Sequence, residues 1–366
     1  VVGGGTPDTT VSSLWNGDIQ WFTPTEVGHQ KYVSKSARTI TQLGLQKSSA
    51  KKLPAGSILL SSRATIGECS IAQRECTTNQ GFQNLIPKKD TNNEFLYYLA
   101  QTKKHHFIKY ASGSTFLEIS NSEIKKTKCT VPGTEEQTQI AAFLSALDDR
   151  IAVQNKIIED LKVLKKELCA KLFGSPLCGR IIAIEQVADI YGGYAFNSKA
   201  YVNKGKYKIV TIGNVTGDKY ISGNYNTIDR LPNNIQKPQV LSKGDILVSL
   251  TGNVGRISIV DGDEYLLNQR VAKLGIEDDL TKEYIYQYLS NSSFEKDMIN
   301  AGQGAAQKNI KNQDILSYCI RFPTDQTALE NIDKLLSLYD IRITSEKAIL
   351  SNLILQKSYY LRAMFI

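Results

Sequence analysis

The sequence is short of most of what catalysis or membrane residence requires. Among 366 residues there are 3 histidines, 2 methionines and 2 tryptophans, and no apolar run approaches the roughly 18 residues that would span a bilayer. Cys69, Cys76, Cys129, Cys169, Cys178 and Cys319 contain no Cys-x-x-Cys spacing, so they read as reduced thiols of a cytoplasmic protein rather than as a metal site or disulfide framework. His29, His105 and His106 have no carboxylate or cysteine constellation around them. There is no Gly-x-x-x-x-Gly-Lys-Ser/Thr loop for ATP, no Asn/Asp-Pro-Pro-Tyr motif for amino methylation and no carboxylate set with a lysine that suggests a nuclease. Gly252-Asn253-Val254-Gly255 is too short for a dinucleotide fingerprint, and Gly3-Gly4-Gly5 reads as a turn. No catalytic residue and no metal ligand is assigned.

What is present is said twice. Leu53-Pro54-Ala55-Gly56-Ser57-Ile58-Leu59-Leu60-Ser61 returns as Leu241-Ser242-Lys243-Gly244-Asp245-Ile246-Leu247-Val248-Ser249. Ile66-Gly67 matches Val254-Gly255, Asn79-Gln80 matches Asn268-Gln269, Val131-Pro132 matches Phe322-Pro323 and Phe173 matches Phe365, with the offset creeping from 188 to 192. The period is far longer than that of a solenoid, so each copy is long enough to hold its own core. The second copy opens with Ile181–Asp189 before Tyr191-Gly192-Gly193, whereas Val2-Gly3-Gly4 stands almost at the start of the first. That difference leads to the expectation of a short segment before Val1.

Each copy ends in a helical stretch. Ile140, Leu144, Leu147, Ile151, Gln154, Ile158, Leu161, Lys165, Leu168 and Leu172 follow alternating steps of four and three, the seam of a coiled coil. Adding 192 gives Ile332, Leu336, Tyr339, Ile343, Glu346, Leu350, Leu353, Lys357, Tyr360 and Met364, with polar residues at the same two steps. A helix over Glu135–Phe173 is roughly 58 Å long at 1.5 Å per residue. Two such stripes are buried most economically against each other, and a connection through a whole module favours an antiparallel pair. The polar steps either set register or lie at a splayed edge. The division is 1–134, first module; 135–175, first spacer helix; 176–323, second module; 324–366, second spacer helix.

The net charge of +8 is not evenly spread. Residues 1–134 carry 16 Lys/Arg against 9 Asp/Glu and residues 174–323 carry 17 against 15, while the two helical stretches carry 6 against 7 and 5 against 5. The excess therefore lies in the modules, as expected if they meet a polyanion.

Within the modules, Trp15–Thr23 and Lys206–Val215 read as strands, and Asn93–Tyr110 and Lys282–Ile299 as helices. Short polar loops recur at matching points and hold the residue types that read base edges: Arg for guanine, Asn and Gln for adenine, Ser and Thr for either. The candidates are Arg63, Thr65, Asn79, Gln80, Gln83, Ser114 and Thr115 in the first module and Thr251, Asn253, Asn268, Gln269, Arg270, Gln303 and Asn309 in the second. For Asn79-Gln80 and Asn268-Gln269, which recur in both, closing a turn is an equal alternative. Lys51, Lys52, Lys103, Lys104, Lys243 and Lys308 are the candidate phosphate contacts.

The order Gly-Asp-Ile-Leu-Val-Ser, Leu-Asn-Gln-Arg, Gly-Gln-Gly-Ala-Ala-Gln-Lys-Asn-Ile and Phe-Pro before a long helix resembles the specificity subunit of type I restriction-modification systems. The first copy matches through Gly-Ser-Ile-Leu-Leu-Ser, Thr-Asn-Gln-Gly, Ser-Gly-Ser-Thr and Val-Pro-Gly-Thr-Glu-Glu-Gln-Thr-Gln-Ile. The resemblance implies an α+β fold: two tandem, pseudo-twofold-related target recognition domains separated by a pair of long antiparallel coiled-coil helices. It implies a non-catalytic subunit whose modules each read half of a bipartite, asymmetric site in double-stranded DNA, and whose helices set the gap. Two adenine-methylating subunits and the restriction/translocase subunits would be its partners. S-adenosylmethionine, ATP and Mg would be bound only by those partners, with no cofactor on this chain. Two rivals stay open: the recognition part of a fused methyltransferase-nuclease, and a coiled-coil scaffold.

Overall fold

The repeated Gly-(Ser/Asp)-Ile-Leu segment, β-branched and apolar between turns, forms the same buried strand in both copies: Ile58–Leu60 and Ile246–Ser249. The computed structural model describes residues 1–113, 117–174, 179–302 and 309–365. Ser114, Thr115, Cys178, Gln303, Gln307 and Lys308 lie outside the described residues. The chain is α+β and divides into two units, Val1–Gln154 with Ile349–Ile366, and Asn155–Ala348. Each unit holds one module and part of both long helices.

In the second unit, Ile246–Ser249 lies between Val271–Gly275 and Ile257–Ile259, antiparallel to both, and Asp189–Gly192 pairs with the outer edge of Val271–Gly275. In the first, Ile58–Leu60 pairs with Cys69–Ala72, bridges to Leu85, and Val2–Gly3 pairs with Gln83–Asn84. A second sheet also recurs. Trp15–Phe22 runs between Arg38–Ile40 (antiparallel) and Cys76–Thr78 (parallel). Tyr207–Val210 runs likewise between Asn226–Ile228 and Tyr265–Leu267. The registers Arg38–Trp21–Thr77 and Asn226–Ile209–Leu266 correspond row for row.

Three expected elements differ from those observed. The helix expected over Asn93–Tyr110 is two, Asn93–Thr102 and Lys104–Lys109, because Lys103 leaves the α region and its N–H is shared between the Leu99, Ala100 and Gln101 carbonyls. The helix expected over Lys282–Ile299 is Asp279–Leu289 followed by Ser292–Ala301, with Ser290 and Asn291 between them. The strand expected to reach Val215 stops at Val210. There the Asn214 side chain accepts from the Thr211 N–H at 2.9 Å and donates to the Ser222 and Asn224 carbonyls, closing a turn in place of a ladder.

The long helices span Thr134–Gly174 and Gln326–Met364. Every seam position from Ile140 to Leu172 and from Ile332 to Met364 is buried or half-buried, the polar ones included. Within the first unit the helices run antiparallel: Phe143 meets Tyr360 with ring centroids 4.9 Å apart, and Asp148 meets Lys357 at 2.5 Å. Within the second, Lys165 pairs with Asp340 at 2.5 Å, and Cys169 and Phe173 share a core with Leu329, Ile332 and Leu336. The two lysines of the seam are thus paired with aspartates that are themselves 192 positions apart. Such partly buried pairs add little net stability but penalise a slipped register, since a slip would leave both charges unpaired.

The same carboxylates fasten each module to its helices. Tyr98 donates to Asp148 at 2.6 Å, and Lys31, paired with Glu94 inside the module at 2.8 Å, donates to the Ser145 hydroxyl of the helix at 2.7 Å. Lys219 pairs with Glu283 at 3.2 Å and Asp340 at 3.5 Å, and Gln287 donates to Asp340 at 2.7 Å. Burial pulls the Lys219 ammonium down, but Glu283 and Asp340 outweigh it and hold its pKa above the ordinary lysine value.

Candidate nucleic-acid interface

In the first module four loops converge at one end of the sheets. The Ser62 N–H donates to the Gly81 carbonyl at 2.8 Å, and the Ile119 N–H to the Ser62 carbonyl at 3.1 Å. The Arg63 and Glu118 backbones form a bridge, and the Gly5 N–H donates to the Thr78 carbonyl at 2.8 Å. The second module repeats this frame: Leu250 N–H to Arg270 carbonyl and Ile310 N–H to Leu250 carbonyl, both at 3.0 Å, with Thr251 bridged to Asn309. Gln269 adds an N–H bond to the Tyr194 carbonyl at 3.0 Å. Every bond of the frame is backbone to backbone, so it does not depend on which side chains the loops carry.

Two glycine positions make the frame. Gly4 and Gly193 let one backbone cross another, since a Cβ there would overlap the carbonyl oxygens of Asn79 and Asn268. The loop after the central strand turns through the left-handed region at φ 73° for Gly252; the first module places Ala64 there at φ 54°.

Within this frame the candidate side chains separate. Asn79 accepts from the Gly81 N–H at 2.8 Å and Asn268 from the Arg270 N–H at 3.4 Å, so both buttress their loops. Gln83 accepts from the Asn121 side chain at 2.8 Å, Gln80 from the Thr6 hydroxyl. Arg63 is held by Glu118 at 2.8 Å, and Thr251 is only 9% exposed. Thr65, Asn253, Gln269, Arg270 and Asn309 are exposed at the loop rims, and Arg270 has no carboxylate partner among the described residues. Of the lysines, Lys51 follows the Ser49-Ala50 backbone that packs on Gly5. Lys52 is paired with Glu75 at 2.7 Å and Lys104 with Glu68; Lys103 is half-buried at the helix break. Lys243 is not brought to the loops: it precedes Ile246–Ser249, at the opposite end of that strand from Thr251.

Pattern reading passed over one group at this end of the first module. Trp15 and Trp21, the only tryptophans in the chain, meet edge to face at 5.0 Å, and the Arg38 guanidinium lies 3.6 Å from the Trp15 ring centroid. Two tryptophans six positions apart on one strand were the available signal. Among the described residues no group of three or more His, Cys, Asp or Glu could hold a metal, and no helix is long and apolar enough to cross a membrane. Cys69, Cys76, Cys129, Cys169 and Cys319 are free thiols.

A duplicated α+β module with this loop frame is the type I restriction modification DNA specificity domain, whose family profile matches residues 1–163 and again 180–354. The chain belongs to that family. It is similar to the MjaIX specificity subunit of Methanocaldococcus jannaschii, with 41% identity over 177 residues, 47% of this chain and 41% of that one. The MjaVIII specificity subunit of the same organism is 26% identical over 313 residues, 77% of this chain and 73% of that one. The EcoR124I/EcoR124II specificity subunit of Escherichia coli is 28% identical over 166 residues, 43% of this chain and 40% of that one. The chain thus aligns with less than half of the first and third of these relatives and with most of the second. The fold is that of the type I system S subunit from M. genitalium, with TM-score 0.56 and 17% identity over 100% of this chain and 96% of that one. A chain solved in a study of complex assembly and conformational transition of the type I system gives TM-score 0.60 and 17% identity over 99% and 94%.

Proposed function

We propose that this chain is the non-catalytic specificity subunit of a type I restriction-modification complex, each module reading one half of a bipartite DNA target. The observation that carries the reading is the frame itself: two copies of one set of backbone bonds presenting unlike side chains, Arg63 against Thr251, Thr65 against Asn253 and Gly81 against Arg270. One scaffold with two loop sets reads two different half-sites. Exposed rim residues contact bases, and Lys51, Lys103 and Lys104 face phosphates, each lost phosphate contact lowering the salt dependence of binding by about 0.9 of a unit.

The helices set the gap and dock two methylation subunits. Supporting this, exposed apolar side chains recur 192 positions apart: Phe143 with Leu335, Ile157 with Ile349, and Val163 with Leu355. Charge-poor apolar residues exposed in duplicate suit two copies of one protein partner. S-adenosylmethionine, ATP and Mg belong to the methylation and restriction subunits, and the complex works in the cytoplasm.

The test is co-expression with the cognate methylation subunit followed by genome-wide mapping of N6-methyladenine. A split motif with two defined halves and a constant gap is expected. A stable complex that methylates nothing would overturn the reading and favour a scaffold.

A further inference from the structure

The first module has three arginines, and they are not equivalent. Arg63 stands in the reading loop, but Glu118 holds its guanidinium at 2.8 Å. Arg74 lies between Cys69–Ala72 and Cys76–Thr78, at the end of the latter strand away from Asn79. Arg38 opens its strand directly opposite Trp21, which in turn pairs with Thr77. The Cys76–Thr78 strand runs parallel to Trp15–Phe22 and delivers Asn79-Gln80 at the end where the antiparallel Arg38 strand begins. Register alone therefore puts Arg38 at the reading end.

The surroundings of Arg38 are built. Its guanidinium carbon lies 3.6 Å from the Trp15 ring centroid and 5.6 Å from that of Trp21. Both indoles are buried, and both are tied to the strap that follows Gly5: Trp21 Nε1 donates to the Gly5 carbonyl at 2.9 Å and Trp15 Nε1 to the Asp8 carbonyl at 3.0 Å. The strap is itself tied to the reading loop through Gly5 to Thr78 and Thr6 to Gln80. The strap's carboxylate, Asp8, is engaged by Thr10 at 2.7 and 2.9 Å, and Glu26, which accepts from the Ala37 N–H beside Arg38 at 2.7 Å, also accepts from Thr23. Arg38 is exposed and has no carboxylate partner among the described residues.

We infer that Arg38, stacked on Trp15, is the guanine-reading residue of the first module, a role that rests on the proposed DNA-reading function. A guanidinium lying flat on an indole keeps its N–H edge outward and loses little freedom on binding, the arrangement needed for paired hydrogen bonds to guanine O6 and N7 in the major groove. Arg63 has its edge committed to Glu118 and would have to exchange an ion pair for a base. At the equivalent row of the second module stands Asn226, also exposed, where an adenine-reading residue type replaces the arginine.

The test uses the complex with the methylation subunit, binding duplexes in which each base pair of both half-sites is changed in turn. Wild type, Arg38→Lys, Arg38→Ala and Arg63→Ala are compared. Arg38→Lys keeps the charge but not the planar fork, so both Arg38 variants are expected to lose roughly five- to 150-fold of discrimination at one G·C pair of one half-site. The other half-site, read by the same molecule, stays unchanged and reports that the chain is folded. Arg63→Ala is expected to leave that position unchanged. Unaltered discrimination in both Arg38 variants, uniform weakening on every sequence, or relaxation in Arg63→Ala alone would each overturn the assignment. A wild-type complex with no sequence preference would instead overturn the proposed function beneath it.

Discussion

The two modules share a frame and differ in how firmly their loop side chains are held. In the first, Arg63 is clasped by Glu118, Gln83 accepts from Asn121 and Gln80 from Thr6; in the second, Gln269, Arg270 and Asn309 stand exposed with no such clasp among the described residues. The backbone bonds beneath recur in both, with one more in the second module from the Gln269 N–H to the Tyr194 carbonyl. Side chains such as Arg63 against Thr251 and Thr65 against Asn253 therefore differ without altering those bonds, whereas Asn79 and Asn268 buttress their loops in both modules.

The largest effect that would break the comparison is expected at the crossing glycines. Gly4→Ala and Gly193→Ala each drive a methyl into a backbone carbonyl, and each should cost about 3–5 kcal/mol, read as a lower urea midpoint with unchanged slope. If only one of the two is costly, the crossing is structural in that module alone.

Next come the aspartates of the helix pair. Asp340 serves both Lys165 and Lys219, whereas Asp148 serves Lys357 and the Tyr98 hydroxyl. Asp340→Asn leaves two mostly buried cations with one carboxylate fewer and should cost about 2–3 kcal/mol. Asp148→Asn leaves a single cation, 20% exposed, and should cost about 1–2 kcal/mol once screening is allowed for. Equal losses by chemical denaturation would show that the second lysine adds nothing.

The smallest effect sharpens the comparison at the loop turn. Ala64 occupies the left-handed conformation that the second module gives to Gly252. Ala64→Gly should raise stability by roughly 1 kcal/mol and Gly252→Ala lower it by roughly 1–2 kcal/mol. Melting temperatures moving in opposite directions would confirm that the turn is common to both modules.

The duplication, both long helices and the helical seam were legible because each rests on a local rule, a spacing of three or four repeated after 192 positions. The breaks at Lys103 and at Ser290-Asn291 were less so, as no glycine or proline marks them; Asn291-Ser292 before a new helix was the only punctuation. The candidate site was legible as a set of loops but not as a set of free side chains. Whether an arginine is available depends on a carboxylate far along the chain, as Glu118 is from Arg63, or on a ring brought up by strand register, as Trp15 is to Arg38. No local window contains either fact.

The seam pairs carry a consequence for how such a chain can change length. Asp148 to Lys165 on one helix and Asp340 to Lys357 on the other are equal spans, and each aspartate finds the other helix's lysine. Seven residues added within one span lengthen it by about 10 Å and throw the pairings out of step. An insertion in one helix alone would leave at least one of these lysines without its aspartate, whereas equal insertions in both spans would preserve both pairs.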